Sequence, residues 1–203
     1  MRTLFFLPFF FLSMMLASPT PFDSIQVAAL KAYVEQTYEG YDFEVFLYVS
    51  LKDQKMYLIK DWEVETTYLI SGAKKGAGNR SGSNQTPTGL HKIAEKHGEG
   101  VPLGGILKAR HFTEKVAEIF TDETDLETDD VTTRVLWLQG VEEGFNKGGN
   151  VDSYQRYIYI HGTPEEGLLG KPASHGCIRM KNQQVIELFE QVGTGTLVLI
   201  LNK

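Results

Sequence analysis

Cysteine is nearly absent from this sequence, since one residue, Cys177, stands among 203. An intramolecular disulfide is therefore impossible, although exported proteins often carry cysteines in pairs. A single thiol in an oxidising compartment is open to oxidation and needs a reason to be retained. A free cysteine is often only a small buried apolar residue. The residues around Cys177 must decide between that interpretation and a chemical role.

Positive charge is also scarce. Lys and Arg number 20 against 26 Asp and Glu, which gives a net charge of −6 and an isoelectric point near 5.4. This acidic balance, without any basic stripe, argues against nucleic acid as a partner. The hydrophobic fraction of 42% is that of an ordinary globular protein.

Long apolar runs are missing as well. The run from Leu4 to Leu16 is shorter than the roughly 20 residues that span a bilayer. Arg2 precedes it and small residues follow from Ala17, which is the pattern of a secretory signal peptide. We expect residues 1–17 to be a signal peptide cleaved near Ala17, with an uncleaved anchor as the alternative. The mature protein is then expected in the periplasm or cell-wall space.

Periodicity divides the remainder into a lead-in and one domain. Residues 18–42 are expected to form an N-terminal lead-in with a packing helix. From residue 43 the apolar residues alternate with a period of two, which predicts a mainly β domain over 43–203 with mostly antiparallel strands and a few packing helices. The predicted strands are 43–49, 56–60, 64–70, 90–95, 132–139, 156–161 and 196–201, and the predicted helices are 25–38, 112–120 and 183–192, the last capped by Asn182.

Two sets of side chains contain metal-binding residue types, but their spacing matches no known metal site. Residues 121–130 carry six acidic side chains but lack the glycine and final glutamate of an EF-hand loop. We interpret them as a solvated acidic turn. His91, His97 and His111 match no zinc pattern and are interpreted as surface or core histidines. The sequence therefore predicts no metal and no cofactor.

The chemistry is concentrated in His161-Gly162-Thr163 and in Ser174-His175-Gly176-Cys177-Ile178-Arg179-Met180. A nearby imidazole turns a thiol into a better nucleophile. His175, two residues before Cys177, and His161, at the end of strand 156–161, both qualify, and spacing alone does not choose between them. Gly176 lets the backbone turn sharply, so that consecutive N–H groups can face the oxygen of an attacked carbonyl. The pattern indicates acyl transfer through a thioester.

These two segments resemble the signature of the L,D-transpeptidase catalytic domain family, which is YkuD-like, and the resemblance runs from about Phe43 to Asn202. The turn 86–89, Thr-Pro-Thr-Gly, resembles one that is frequent in that family. The resemblance implies a β-sandwich of mostly antiparallel strands with a helix and a covering loop. It also implies roles for the site residues: Cys177 as nucleophile, His161 as general base oriented by the carbonyl of Gly162, and backbone donors from His175, Gly176 and Cys177.

The resemblance further implies a reaction on peptidoglycan. The thiol attacks the peptide bond after diaminopimelate in a tetrapeptide stem, releases D-Ala, and passes the acyl group to an amine of another stem, giving a 3–3 cross-link. An L,D-carboxypeptidase or a wall-link hydrolase would use the same Cys/His site. A wall-anchored protein is an alternative acceptor. A non-catalytic wall-binding module is the alternative of another class.

Two features depart from the family pattern. Only twelve residues, 162–173, separate His161 from Ser174, and position 179 is Arg where some branches have Asn. The short spacer and the arginine resemble the ErfK/YbiS-type bacterial periplasmic branch. We expect Ser174 and Arg179 to contact substrate, with the alternative that Arg179 only holds the loop.

Overall fold

The computed structural model describes residues 24–203, in which ten strands join into one sheet. The strands are β1 (Val45–Ser50), β2 (Lys55–Lys60), β3 (Glu63–Ser71), β4 (Gly89–His97), β5 (Gly105–Lys108), β6 (His111–Val116), β7 (Val131–Gly140), β8 (Tyr159–Gly162), β9 (Ile178–Met180) and β10 (Leu197–Leu201). The helices are α1 (Ser24–Thr37) and α2 (Asn182–Gln191), with 3₁₀ turns at Gly149–Val151 and Glu166–Leu168. The predicted signal peptide lies outside the described residues.

The sheet closes on itself. Its order is β4-β10-β1-β2-β3-β9-β8-β7-β5-β6, and a further pairing joins β4 to β7. Only β1–β10 and β8–β9 pair in parallel, so the prediction of a mainly β, mostly antiparallel fold is confirmed. The two layers of the expected sandwich are thus parts of one continuous sheet, from which the β5–β6 hairpin extends.

The main core fills the inside of this closed sheet. Inward side chains of β1, β2, β3, β7, β8, β9 and β10 form one cluster, and α2 adds Val185, Leu188 and Phe189 to it. Lys96 donates to the carbonyls of Phe189 and Val192, which satisfies the C-terminal end of α2. Burying an aliphatic side chain of this size stabilises a fold by roughly 1.5–3 kcal/mol. The core therefore fixes the parity of β8 and β9, and with it the outward side chains of the site.

Helix α1 packs on the outside of the sheet. Leu30 and Val34 of this helix, and Tyr38 directly after it, bury against the outer side chains of β1, β2 and β10. Within residues 24–203, no helix has both the length and the apolar character needed to cross a membrane.

Residues 112–120, predicted as a helix, instead belong to strand β6 as far as Val116 and then continue without a helix, so that prediction is wrong. Lys108 pairs with His111 across a two-residue turn, and both central residues, Ala109 and Arg110, have positive φ. This is the geometry of a tight hairpin turn. The local sequence did not indicate this turn, because such turns normally carry Asn or Gly at these positions.

Two further local predictions are wrong. Strand β8 begins at Tyr159 rather than at Arg156, because Tyr157 has a φ of 56° and breaks the expected alternation. Asn182 does not cap α2 but is its first residue, with a fully buried side chain. That side chain has hydrogen-bonding partners inside the protein, which a sequence pattern does not show.

Candidate active site

Two neighbouring strands bring His161 and Cys177 to one face of the sheet. β8 and β9 run parallel, with Ile160 opposite Ile178 and His161 opposite Arg179. The two isoleucines point into the core, so His161 and Arg179 point outward. Cys177, one residue before β9, shares the outward face. With strands about 4.8 Å apart and a rise of about 3.3 Å per residue, the diagonal from Cys177 to His161 is roughly 8 Å between Cα atoms.

The ring of His161 is completely buried and held in one orientation. Its Nδ1 lies 2.7 Å from the carbonyl oxygen of Gly162. A carbonyl only accepts, so Nδ1 carries the proton and Nε2 keeps its lone pair. Nε2 is buried and has no hydrogen-bond partner among the described residues. Burial lowers the pKa of His161 despite the opposing charge of Asp129, which leaves a neutral imidazole with a basic nitrogen.

Gly162 is fixed from behind by Asn182. The Asn182 side chain accepts hydrogen bonds from the hydroxyls of Thr132 and Thr133 and donates to the Thr163 carbonyl at 2.7 Å. A Cβ at position 162 would lie 2.5 Å from Asn182 Oδ1 and 2.9 Å from the Thr132 carbonyl oxygen. Glycine is therefore required here, and its carbonyl is the group that orients His161.

Cys177 is only partly exposed, and its sulfur lies against the chain just before β8. The N–H of Tyr159 donates to Sγ at 3.4 Å, and the thiol donates to the Tyr157 carbonyl oxygen at 3.4 Å. Burial raises the pKa of Cys177 to about 12, and the negative charge of Asp129 acts in the same direction. The resting site therefore holds a neutral thiol rather than a thiolate paired with imidazolium.

The turn before Cys177 is closed by Ser174. Its Oγ donates to the Cys177 carbonyl at 2.5 Å and accepts the N–H of Gly176 at 3.2 Å, and Gly176 adopts a φ of 137°. The N–H of His175 donates to Asp129 at 2.8 Å. Two of the expected oxyanion donors are thus engaged in the resting protein. The His175 ring is 60% exposed and lies 3.6 Å from Asp129, on the surface of the turn.

Arg179 is buried between two carboxylates. Its Nε and Nη2 lie 2.8 and 2.7 Å from Asp129 Oδ1, and its Nη1 lies 2.7 Å from Glu165 Oε2. This double pairing favours the alternative in which Arg179 holds the loop, because a substrate carboxylate would have to displace one of them. Burial raises the pKa of Asp129, but the charges of His161 and Arg179 and its hydrogen bonds outweigh it, so the pKa is lowered.

The interpretation of residues 121–130 as a purely solvated acidic turn is therefore wrong at Asp129. Its neighbours fit the prediction better, because Asp125 pairs with Lys74 and Glu123 with Lys171 on the surface. The turn is thus tied both to the loop after β3 and to the segment that leads into the Cys177 turn.

Arg156 has a structural role that no sequence pattern indicates. Its guanidinium donates to the carbonyls of Gly78, Asn79 and Gln85 at 3.2, 2.8 and 2.6 Å. These bonds hold the Gly- and Ser-rich loop after β3 against the segment that leads into β8. A cavity of about 240 Å³ lies there, lined by Ser81, Gly82, Asn84, Gln155, Arg156, Tyr157, Ile158 and His175.

Two of the remaining histidines, His91 and His97, have ordinary partners, and His111 is exposed. His91 is buried, with Nδ1 3.1 Å from the Gly89 carbonyl and Nε2 2.9 Å from Ser153 Oγ, and burial lowers its pKa to about 4. His97 pairs with Glu95 at 2.9 Å. In the described part of the chain, no three His, Cys, Asp or Glu side chains are grouped so as to hold a metal ion.

The fold agrees with a comparison to known families. The chain belongs to the L,D-transpeptidase catalytic domain family, whose model matches residues 44–200. It is similar to YqjB of Bacillus subtilis, with 54% identity over 45 residues that make up 22% of this chain and 26% of YqjB. It is similar to YkuD of the same organism, with 43% identity over 60 residues that make up 27% of this chain and 37% of YkuD.

The similarity extends to a relative from another bacterium and to a solved structure. YbiS of Escherichia coli K12 is 40% identical over 48 residues, which are 24% of this chain and 16% of YbiS. The matched segments thus span well under half of these three relatives. L,D-transpeptidase 3 from Mycobacterium tuberculosis superposes with a TM-score of 0.49 at 16% identity, over 77% of this chain and 60% of that one.

Proposed function

We propose that this protein is a cysteine L,D-transpeptidase with Cys177 as nucleophile and His161 as general base. The observation that carries the proposal is the arrangement of both side chains on one face of β8 and β9, with the basic Nε2 of His161 buried and unpartnered. Residues 43–203 are proposed as the catalytic domain. The apolar N-terminal sequence supports export to the periplasm or cell-wall space, with cleavage near Ala17.

Acylation begins from the neutral pair. Sγ of Cys177 attacks the carbonyl carbon of the peptide bond after diaminopimelate in a peptidoglycan tetrapeptide, and His161 Nε2 takes the thiol proton as the S–C bond forms. Backbone N–H groups of residues 175–177 are proposed to stabilise the oxyanion, which requires His175 and Gly176 to exchange their resting partners for the substrate. The C–N bond then breaks, and the imidazolium returns its proton to the amine of the departing D-Ala.

Transfer reverses the same proton path. An amine of a second stem attacks the thioester carbonyl and loses its proton to His161 Nε2. The C–S bond breaks, and the Cys177 sulfur leaves as a thiolate, which the N–H of Tyr159 stabilises before the imidazolium reprotonates it. The product is a 3–3 cross-link. A wall-anchored protein with a reachable amine is a second proposed acceptor.

The test is incubation of the purified protein with a disaccharide-tetrapeptide, followed by mass spectrometry of products and protein. We expect a cross-linked dimer, loss of D-Ala, and an acyl adduct on Cys177. Tripeptide without dimer would instead identify an L,D-carboxypeptidase with the same site. Absence of any adduct, or full turnover by Cys177→Ala, would contradict the mechanism.

A further inference from the structure

The β5–β6 hairpin places one arginine on an aromatic cluster beside the nucleophile. Its turn consists of Ala109 and Arg110, with φ values of 47° and 69°. Both positions favour Asn or Gly, so the turn is strained, and strain of this kind often accompanies a functional site. The consequence of the turn is the position of the Arg110 guanidinium.

That guanidinium is stacked, with its edges left for other groups. Its carbon lies 4.4 Å from the centre of the Trp137 ring and 5.8 Å from that of Tyr157, and its Nη1 donates to Tyr159 Oη at 3.3 Å. Stacking occupies the face of a guanidinium, and carboxylates bind along its edge. Tyr159 also donates its backbone N–H to Cys177 Sγ, so one residue separates Arg110 from the nucleophile.

Arg110 differs from the other arginines around the site. Arg134 and Arg156 donate to backbone carbonyls, and Arg179 pairs with two carboxylates. Among residues 24–203, no carboxylate oxygen lies within ion-pairing distance of Arg110. The nearby Glu95 attracts Arg110 electrostatically but is hydrogen-bonded by Tyr154 and His97 and does not pair with it. The guanidinium edge that Tyr159 does not use is therefore available to a ligand.

We propose that Arg110, with the exposed ring of Tyr157, forms a subsite that binds a carboxylate of the peptide substrate and holds the stem beside Cys177. Tyr157 is 56% exposed and supplies an apolar surface next to the charge. A peptidoglycan stem carries several carboxylates near its reacting bond, so the subsite rests on the proposed function for its natural ligand. The charge itself can be measured without that function.

The test uses the fact that Cys177 is the single cysteine of the chain. Iodoacetate and iodoacetamide alkylate the same sulfur and differ in charge. The rate with iodoacetate divided by the rate with iodoacetamide is measured for the wild type, Arg110→Gln and Arg110→Lys. Lys108→Gln is the control on the same hairpin. We expect Arg110→Gln to lower the ratio roughly threefold or more, and the Lys variant and the control to leave it unchanged.

Peptide kinetics then tie the charge to the substrate. Two substrates are compared, a stem with free carboxylates and the same stem with its carboxylates amidated. Arg110→Gln should raise KM for the stem with free carboxylates by roughly tenfold, with little change in kcat. KM for the amidated stem should change little. An unchanged alkylation ratio in Arg110→Gln, or an equal rise of KM for both stems, would overturn the subsite. If no peptide is turned over, the proposed function fails, while the alkylation ratio still tests the charge beside Cys177.

Discussion

At the scale of single residues, the site consists of two groups that are both neutral at rest. Burial raises the pKa of Cys177 and lowers that of His161, so in the proposed mechanism proton transfer accompanies attack. The Gly162 carbonyl fixes the tautomer that makes such transfer possible. A thiol that is neutral at rest is less open to oxidation, because the thiolate is the reactive form.

This account predicts the pH dependence of thiol alkylation in the free protein. Because the pKa of Cys177 lies near 12, the thiolate fraction should rise about tenfold per pH unit from about pH 6 to about pH 9. The rate of iodoacetamide alkylation should follow it without a plateau. A flat rate across neutral pH would show a preformed thiolate and imidazolium, and would contradict the resting state described above.

Some of these site residues could be predicted from the sequence, and others could not. The predicted strand 156–161 placed His161 at a strand end, and the family resemblance paired it with Cys177. Asp129, Glu165 and Asn182 could not be found that way, because each acts through partners that are distant in sequence. Nothing in a single sequence indicates which of six neighbouring acidic residues turns inward.

At the scale of elements, the loop 121–130 and the Cys177 turn are joined by Asp129. It accepts the N–H of His175 and pairs with Arg179, the residue opposite His161. Asp129→Asn keeps the shape but removes the charge from a buried pair. We expect a loss of about 2 kcal/mol in the free energy of unfolding, less than for a fully broken pair because Glu165 still faces Arg179.

The same variant should move the pH profile of turnover. The charge of Asp129 raises the pKa of His161, so its removal should shift the acid limb to lower pH. Asp125→Asn, which removes an exposed pair with Lys74 in the same loop, is the matched control. It should change neither urea unfolding nor the profile. Equal effects of the two substitutions would show that Asp129 has no special position.

The hairpin shows where element prediction failed. Residues 112–120 contain no proline or glycine, so nothing local excluded a helix. The strand forms because β5 pairs on its other side with β7, which gives the hairpin an edge to extend. Such pairing over long sequence separation is the part of a β fold that propensity does not contain.

At the scale of the whole molecule, the closed sheet buries a histidine side chain whose protonation is unfavourable in the folded protein. His91 is completely buried, and its pKa falls from 6.5 to about 4. Below pH 6.5 the unfolded chain binds a proton that the folded chain does not, so stability falls as pH drops toward 4. The loss can reach about 3 kcal/mol.

The dependence of the unfolding free energy on the protonation of His91 is measured by urea unfolding between pH 6.5 and pH 4. His91→Gln should flatten the dependence of unfolding free energy on pH, whatever its effect on stability at neutral pH. His111→Gln, at an exposed position, should leave the slope unchanged. A His91→Gln slope equal to that of the wild type would contradict the assignment.

The overall architecture was accessible from the sequence in outline. Alternation predicted most strands, and α2 followed from its apolar stripe. Closure through β4–β7 and the parallel pairing of β8 with β9 were not visible, because register depends on which faces meet in the core. That parallel pairing is what brings residues 161 and 177 to the same end of the sheet.

The central claim is that His161, and not His175, is the base for Cys177. The most direct test is single-turnover acylation by the disaccharide-tetrapeptide, followed by intact-protein mass in His161→Gln and His175→Gln. The account predicts that His161→Gln slows acylation by about 10² or more, while His175→Gln, with its exposed ring, stays within a few-fold of the wild type. Slow acylation in His175→Gln with near-normal acylation in His161→Gln would contradict it.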